Sequence, residues 1–219
     1  MDNLLPSFDA IVFDMDGVIF DSERISWMNW EKAGREFKIE GIAETVKECT
    51  GRSYKDTLDI LHDNYGPDFP AQKFRNRISE LYWEYVKNNG LPFKKGALEC
   101  LEYLRIKGYR LALASSTRSE SVERELRRGG IRHYFEHVVA GDMVKKSKPD
   151  PEIYLKACSL MNVQPENCLA VEDSPNGIAS AWKAGMKCLM VVDQIQPSDT
   201  ELSRIIRLCS SLEELKEFL

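Results

Sequence analysis

The 219-residue sequence has no apolar run near the roughly 20 residues that cross a bilayer, so no membrane span is expected. Its first residues, Met1-Asp2-Asn3-Leu4-Leu5-Pro6, carry no basic segment of the kind that opens a secretory signal, and a cytoplasmic protein is expected. Basic charge is not in excess: 30 Lys and Arg stand against 35 Asp and Glu, a net charge of -5. That argues against nucleic acid as a partner, and an anionic substrate would have to be drawn in by a local patch or a metal. None of the six cysteines (Cys49, Cys100, Cys158, Cys168, Cys188 and Cys209) stands in Cys-x-x-Cys or zinc-site spacing. Most have apolar neighbours, so buried free thiols are expected. Histidine is scarce. His62, His133 and His137 do not cluster with acids and read as structural. Internal repeats and low-complexity segments are also missing.

What is present is a set of short apolar runs, each ending in polar residues. Ala10–Phe13 stops at Asp14 and Asp16, with Gly17 behind them. Such a run suggests a buried strand, and alternation would put both aspartates on one side at its carboxyl end. Open α/β sheets place ligands at that end. Two crowded carboxylates repel, and a divalent cation would keep both ionised. A strand end followed by an Asp-Gly turn fits the same residues. Leu111–Ala114 ends in Ser115, Ser116, Thr117 and Arg118, before a helical stretch from Ser119. Those hydroxyls and the helix-start N–H groups could hold phosphate or simply cap the helix. Lys148 precedes Pro149-Asp150-Pro151, with a helix expected over Glu152–Met161. Cys168–Val171 ends in Glu172 and Asp173. Ser174 then reads as a helix cap, with Pro175 in the first turn.

Taken in this order, the four segments resemble the haloacid dehalogenase superfamily. Asp14-Met15-Asp16-Gly17-Val18 matches its nucleophile motif, Ser115 its second motif, Lys148 its third, and Glu172 with Asp173 its fourth. The Lys148-Pro149-Asp150-Pro151 and Glu172–Gly177 wording looks most like the subgroup of β-phosphoglucomutase and small sugar-phosphate phosphatases. The resemblance implies that Asp14 attacks a phosphate ester, that Asp16 protonates the leaving oxygen and later activates water, and that Ser115, Ser116 and Lys148 hold phosphate oxygens. It also implies Mg²⁺ held by Asp14, Asp16 and Asp173, with Glu172 direct or through water.

Residues 22–89 show no convincing strand. Ile78, Leu81, Tyr82, Tyr85 and Val86 follow helical spacing, and Tyr54, Leu58 and Leu61 do so more weakly. After Lys95, helices and strands alternate, which implies a parallel sheet. The expectation is an α/β chain: a Rossmann-like core of residues 1–17 and 92–219, helices on both faces, and an inserted α-helical cap at 18–91. Strands are expected at 111–114, near 137–140, at 168–171 and at 188–192, with a last helix at 212–218.

The mutase branch of the resembled family carries a histidine in the first cap helix, where this sequence has Ser26. That branch also has a cap arginine after a Gly-x-Ser turn. Here Arg52 is shifted to the middle of Gly51-Arg52-Ser53. Thr117 and Arg118 stand where mutases hold a distal phosphate. The reading is a Mg²⁺-dependent phosphatase, expected to be a monomer, acting on a small phosphorylated metabolite. A phosphosugar mutase is the alternative, and a non-catalytic metal-stabilised binding module comes third.

Overall fold

The computed structural model describes residues 7–50 and 54–219. Arg52 therefore lies outside the described residues. The chain divides into two compact units, one of residues up to Asp21 together with Leu91–Leu219, the other Ser22–Gly90.

The larger unit is built on six parallel strands: β1 (Ala10–Phe13), β2 (Arg110–Ser115), β3 (His137–Ala140), β4 (Cys168–Glu172), β5 (Lys187–Val191) and β6 (Arg207–Cys209). Their order is β3-β2-β1-β4-β5-β6, and every neighbouring pair is parallel. The first strand is therefore central, flanked by the two other strands whose ends carry candidate residues. Alternation divides the sheet's side chains cleanly. Ile11, Phe13, Leu111, Leu113, Leu169 and Val171 pack on one face with α5 (Ala97–Ile106) and α6 (Ser119–Arg128). Ala10, Val12, Ala112, Ala114, Cys168 and Ala170 pack on the other with α7 (Glu152–Met161) and α8 (Pro175–Lys183). Covering both faces is what makes these strands continuous apolar runs. All six cysteines are buried and free.

The smaller unit is helical: α1 (Ser22–Glu36), α2 (Ile42–Cys49), α3 (Tyr54–Tyr65) and α4 (Ala71–Asn89). Its own core includes Trp30, Ala33, Val46, Leu61, Phe74, Ile78 and Leu81. Trp30 and Phe37 both meet Phe74 edge-on, a favoured aromatic geometry. Of the expected helical stripe, Ile78, Leu81 and Val86 are buried, while Tyr82 and Tyr85 are half-buried.

The sequence reading missed β6 and the short helix at Asp199–Leu202. The closing segment Leu212–Glu217 is a 3₁₀ helix, not the α-helix expected over 212–218. Its buried residues Leu212 and Leu215, with Phe218 just beyond it, recur every third position, the period of a 3₁₀ turn.

Candidate active site

Strand register assembles the site. Phe13 stands beside both Leu113 and Val171, so Asp14, Ala114 and Glu172 come next on three adjacent strands. The Asp14 N–H donates to Val171 O at 2.9 Å. By alternation Asp14 and Glu172 face the side covered by α7 and α8. From that side Lys148 reaches in: its Nζ donates to Asp14 Oδ1 at 2.6 Å, Glu172 Oε1 at 2.7 Å and Ala114 O at 3.0 Å. Tyr154, on α7, donates its hydroxyl to Glu172 Oε1 at 2.6 Å. The lysine's loop is itself fixed. Ser180 Oγ and Lys183 Nζ, both on α8, donate to Asp150 O and Pro149 O, and Glu152 accepts from the backbone of Lys145 and Lys146.

Electrostatics follow from this burial. Desolvation pushes Asp14 up to about 8. Lys148 opposes that shift, and the Glu172 and Asp16 charges add to it. Burial works against the Lys148 charge, but Asp14 and Glu172 more than offset it, and its pKa is raised. Desolvation, then the neighbouring carboxylates, raise the Tyr154 phenol well above its ordinary value, so it stays a donor.

Glu172 is fully buried, and its second oxygen is also occupied. Asp173 N and Ser174 Oγ both donate to Oε2 at 3.2 Å. Ser174 caps α8 by accepting from Gly177 N at 3.1 Å, and Pro175 takes the first turn. A Cβ on Gly177 would lie 1.9–2.0 Å from the Glu172 carboxylate, so only glycine lets helix and carboxylate approach this closely.

Carboxylate oxygens of Asp14, Glu172 and Asp173 lie within 4.8 Å of one another and could hold a cation. Asp16 is not in that group. The strand ends at Phe13 and the chain turns at once, with Ile19 and Phe20 both bonded back to Met15 O, so strand alternation does not extend to Asp16. Its carboxylate instead accepts from Thr117 Oγ1 at 2.8 Å and Ser115 Oγ at 3.4 Å. The Asp16 charge still adds to the Asp14 shift, so the two carboxylates are neighbours. The Thr117 hydroxyl is held on Asp16. Ser115 is buried, and its Oγ accepts from Thr117 N. Ser116 and Arg118 are exposed. The start of α6 is capped from another loop: Asp142 accepts from both Ser119 N and Ser119 Oγ, which occupies part of the expected phosphate-binding helix start.

A profile of haloacid dehalogenase-like hydrolases matches residues 11–191, a span that contains the ends of β1, β2 and β4 and the Lys148 loop. The chain belongs to this family. A protein from Thermotoga maritima named phosphorylated carbohydrates phosphatase is 32% identical over 183 residues, 82% of each chain. A crystal structure from the same organism, provisionally named a β-phosphoglucomutase, superposes with a TM-score of 0.78 at 31% identity, over 96% of this chain and 100% of that one. A haloacid dehalogenase family hydrolase from Deinococcus radiodurans, solved with phosphate and sodium bound, gives 0.80 at 28% identity, over 95% and 93%. The hydrolase assignment of the chain rests on the family; Tyr154 is the site neighbour that sequence reasoning missed, because a tyrosine on an apolar helix face reads as core.

Proposed function

We propose that the protein is a Mg²⁺-dependent phosphatase that hydrolyses a small phosphorylated metabolite, in the sugar-phosphate class, through an aspartyl phosphate on Asp14. The observation that carries this is one lysine, Lys148, binding both Asp14 and Glu172 at the carboxyl edge of the sheet, with Asp173 alongside. The relative named for phosphorylated carbohydrates and the structure holding phosphate support the substrate class.

Lys148 engages Asp14 Oδ1, which leaves Oδ2 to attack phosphorus. The bond from phosphorus to the ester oxygen breaks, and that oxygen takes a proton from Asp16. Water then attacks the aspartyl phosphate and gives its proton back to Asp16. Inorganic phosphate departs and the Asp14 carboxylate is restored. Thr117 orients Asp16 through its hydroxyl. Ser115, the Ser116 backbone and Lys148 hold the phosphoryl oxygens. The donor set fits Mg²⁺, a hard cation that prefers carboxylate oxygens. Asp14 and Asp173 would hold it directly, with Glu172 nearby, since Lys148, Tyr154, Asp173 N and Ser174 already engage Glu172. When bound, the cation supplies positive charge to the transferring phosphoryl group. The helical unit Ser22–Gly90 carries substrate choice.

A phosphosugar mutase is the second reading, supported by the provisional name of the Thermotoga structure and by Arg118 at the site's edge. Phosphate release from a panel of sugar phosphates, with Mg²⁺ and with chelator, tests the main reading. Release should need the cation, and Asp14→Asn should lose several orders of magnitude in rate while staying folded. Undiminished release by that variant, or release in chelator, would refute the mechanism.

A further inference from the structure

Asp193 lies two residues beyond β5, at the same edge of the sheet. Its side chain is only 2% exposed. Oδ1 accepts from Lys94 Nζ at 2.6 Å and from Gln194 Nε2 at 3.0 Å. Oδ2 is buried and has no hydrogen-bond partner. A buried carboxylate oxygen left unmet is costly, so this orphan calls for a physical account.

Its direction supplies one. A Cβ placed on Gly17 would stand 2.2 Å from Asp173 Oδ2 and 3.1 Å from Asp193 Oδ2. Both oxygens thus converge on the bare Cα of Gly17, whose φ of +77° also favours glycine. One of these carboxylates belongs to the candidate cation cluster. The other lies just beyond the end of the next strand, with its Oδ2 near the same glycine.

We propose that Asp193 positions the bound cation's water: Oδ2 accepts a hydrogen bond from a water on the Mg²⁺ held by Asp173, while Lys94 fixes the carboxylate through Oδ1. This inference rests on the metal site proposed above and adds a positioning residue to it. Lys94 also offsets the Asp193 charge, so that Asp193 accepts a hydrogen bond without competing for the cation. Carboxylates that hold metal-bound groups in place are commonly worth 10–100-fold in affinity.

A merely structural ion pair, tying the chain after β5 to the segment before α5, would behave differently. The two roles separate when Mg²⁺ is titrated calorimetrically into the whole chain without substrate, for wild type, Asp193→Asn, Lys94→Met and Asp173→Asn. Asp193→Asn should bind about 10-fold or more weakly. Lys94→Met keeps Oδ2 and loses a nearby positive charge, so it should bind at least as tightly as wild type. Asp173→Asn should lose measurable binding. If Asp193→Asn does not fold, the double variant with Lys94→Met leaves neither charge unpaired and should show the same weakening. Wild-type affinity in Asp193→Asn, or equal weakening in it and Lys94→Met, would overturn the proposal. A wild-type chain that binds no Mg²⁺ would overturn the metal reading itself, and this one with it.

Discussion

Tyr154 holds its hydroxyl 2.6 Å from a carboxylate that has no solvent access, and its ring lies 4.9 Å from the Lys148 ammonium. Tyr154→Phe keeps the ring and removes only the donor. Hydrogen bonds to charged groups contribute about 1.5–3 kcal/mol, and urea unfolding should show a loss in that range. An unchanged midpoint would mean that Lys148 alone satisfies Glu172 Oε1. The neighbouring Asp14 gives a prediction of defined sign. Its pKa is raised from 3.8 to about 8, chiefly by burial, so the ion-free folded chain keeps a proton that the unfolded chain releases. Without cation, the stability contribution of Asp14 therefore falls as pH rises from 3.8 toward 8. A cation needs the carboxylate ionised, so Mg²⁺ affinity should rise from about pH 6 to about pH 8 and then level off, with about one proton released per ion. Calorimetry in buffers of different ionisation enthalpy measures that proton, and a pH-independent affinity would contradict the assignment.

At the scale of elements, the junction from β4 to α8 is the tightest constraint on the site. Glu172 ends the strand, Ser174 caps the helix, and Gly177 in its first turn admits the buried carboxylate. Gly177→Ala would put a Cβ where the Glu172 oxygens are, and the carboxylate would have to leave Lys148 and Tyr154. Overpacking of this kind costs about 1–3 kcal/mol, and losing a buried ion-pair partner adds to it. Thermal unfolding should register the loss, and phosphatase activity should fall further than stability alone explains. Normal stability would mean that the helix shifts at no cost. Much of this junction was legible in the sequence because it is local: an apolar run, two acids, a Ser-Pro cap and a glycine within ten residues. The ends of β1 and β2 were legible for the same reason. The Thr117 partner of Asp16 was not legible, because β1 ends at Phe13 and the turn after it sets that contact. Strand β6 was missed because three residues carry no readable period. Tyr154 and Asp193 were out of reach, since each becomes part of the site only through packing between elements distant in sequence.

For the whole molecule, the open question is where the phosphoryl group goes. The site sits in a chain of net charge -5, so attraction for an anionic substrate is local, from Lys148 and from any bound cation. Transfer to water needs only the groups gathered at the sheet edge. Transfer to a sugar needs more: the aspartyl phosphate must be shielded from water while the sugar intermediate turns over, which calls for binding energy from the sugar and its far phosphate. Two candidate groups for that, among the described residues, are missing or already engaged. Ser26 stands where the resembled mutases carry a cap histidine, and the Thr117 hydroxyl is committed to Asp16, not left for a distal phosphate. Arg118 is exposed. On the proposed mechanism, weak coupling between sugar binding and chemistry would let water compete well for the aspartyl phosphate. Incubation with β-glucose 1-phosphate and a trace of glucose 1,6-bisphosphate should therefore yield inorganic phosphate faster than glucose 6-phosphate. Arg118→Ala should leave that ratio nearly unchanged, because water needs no distal phosphate contact. Glucose 6-phosphate forming much faster than free phosphate, and losing that lead in Arg118→Ala, would show that the distal contact is used and that the enzyme is a mutase.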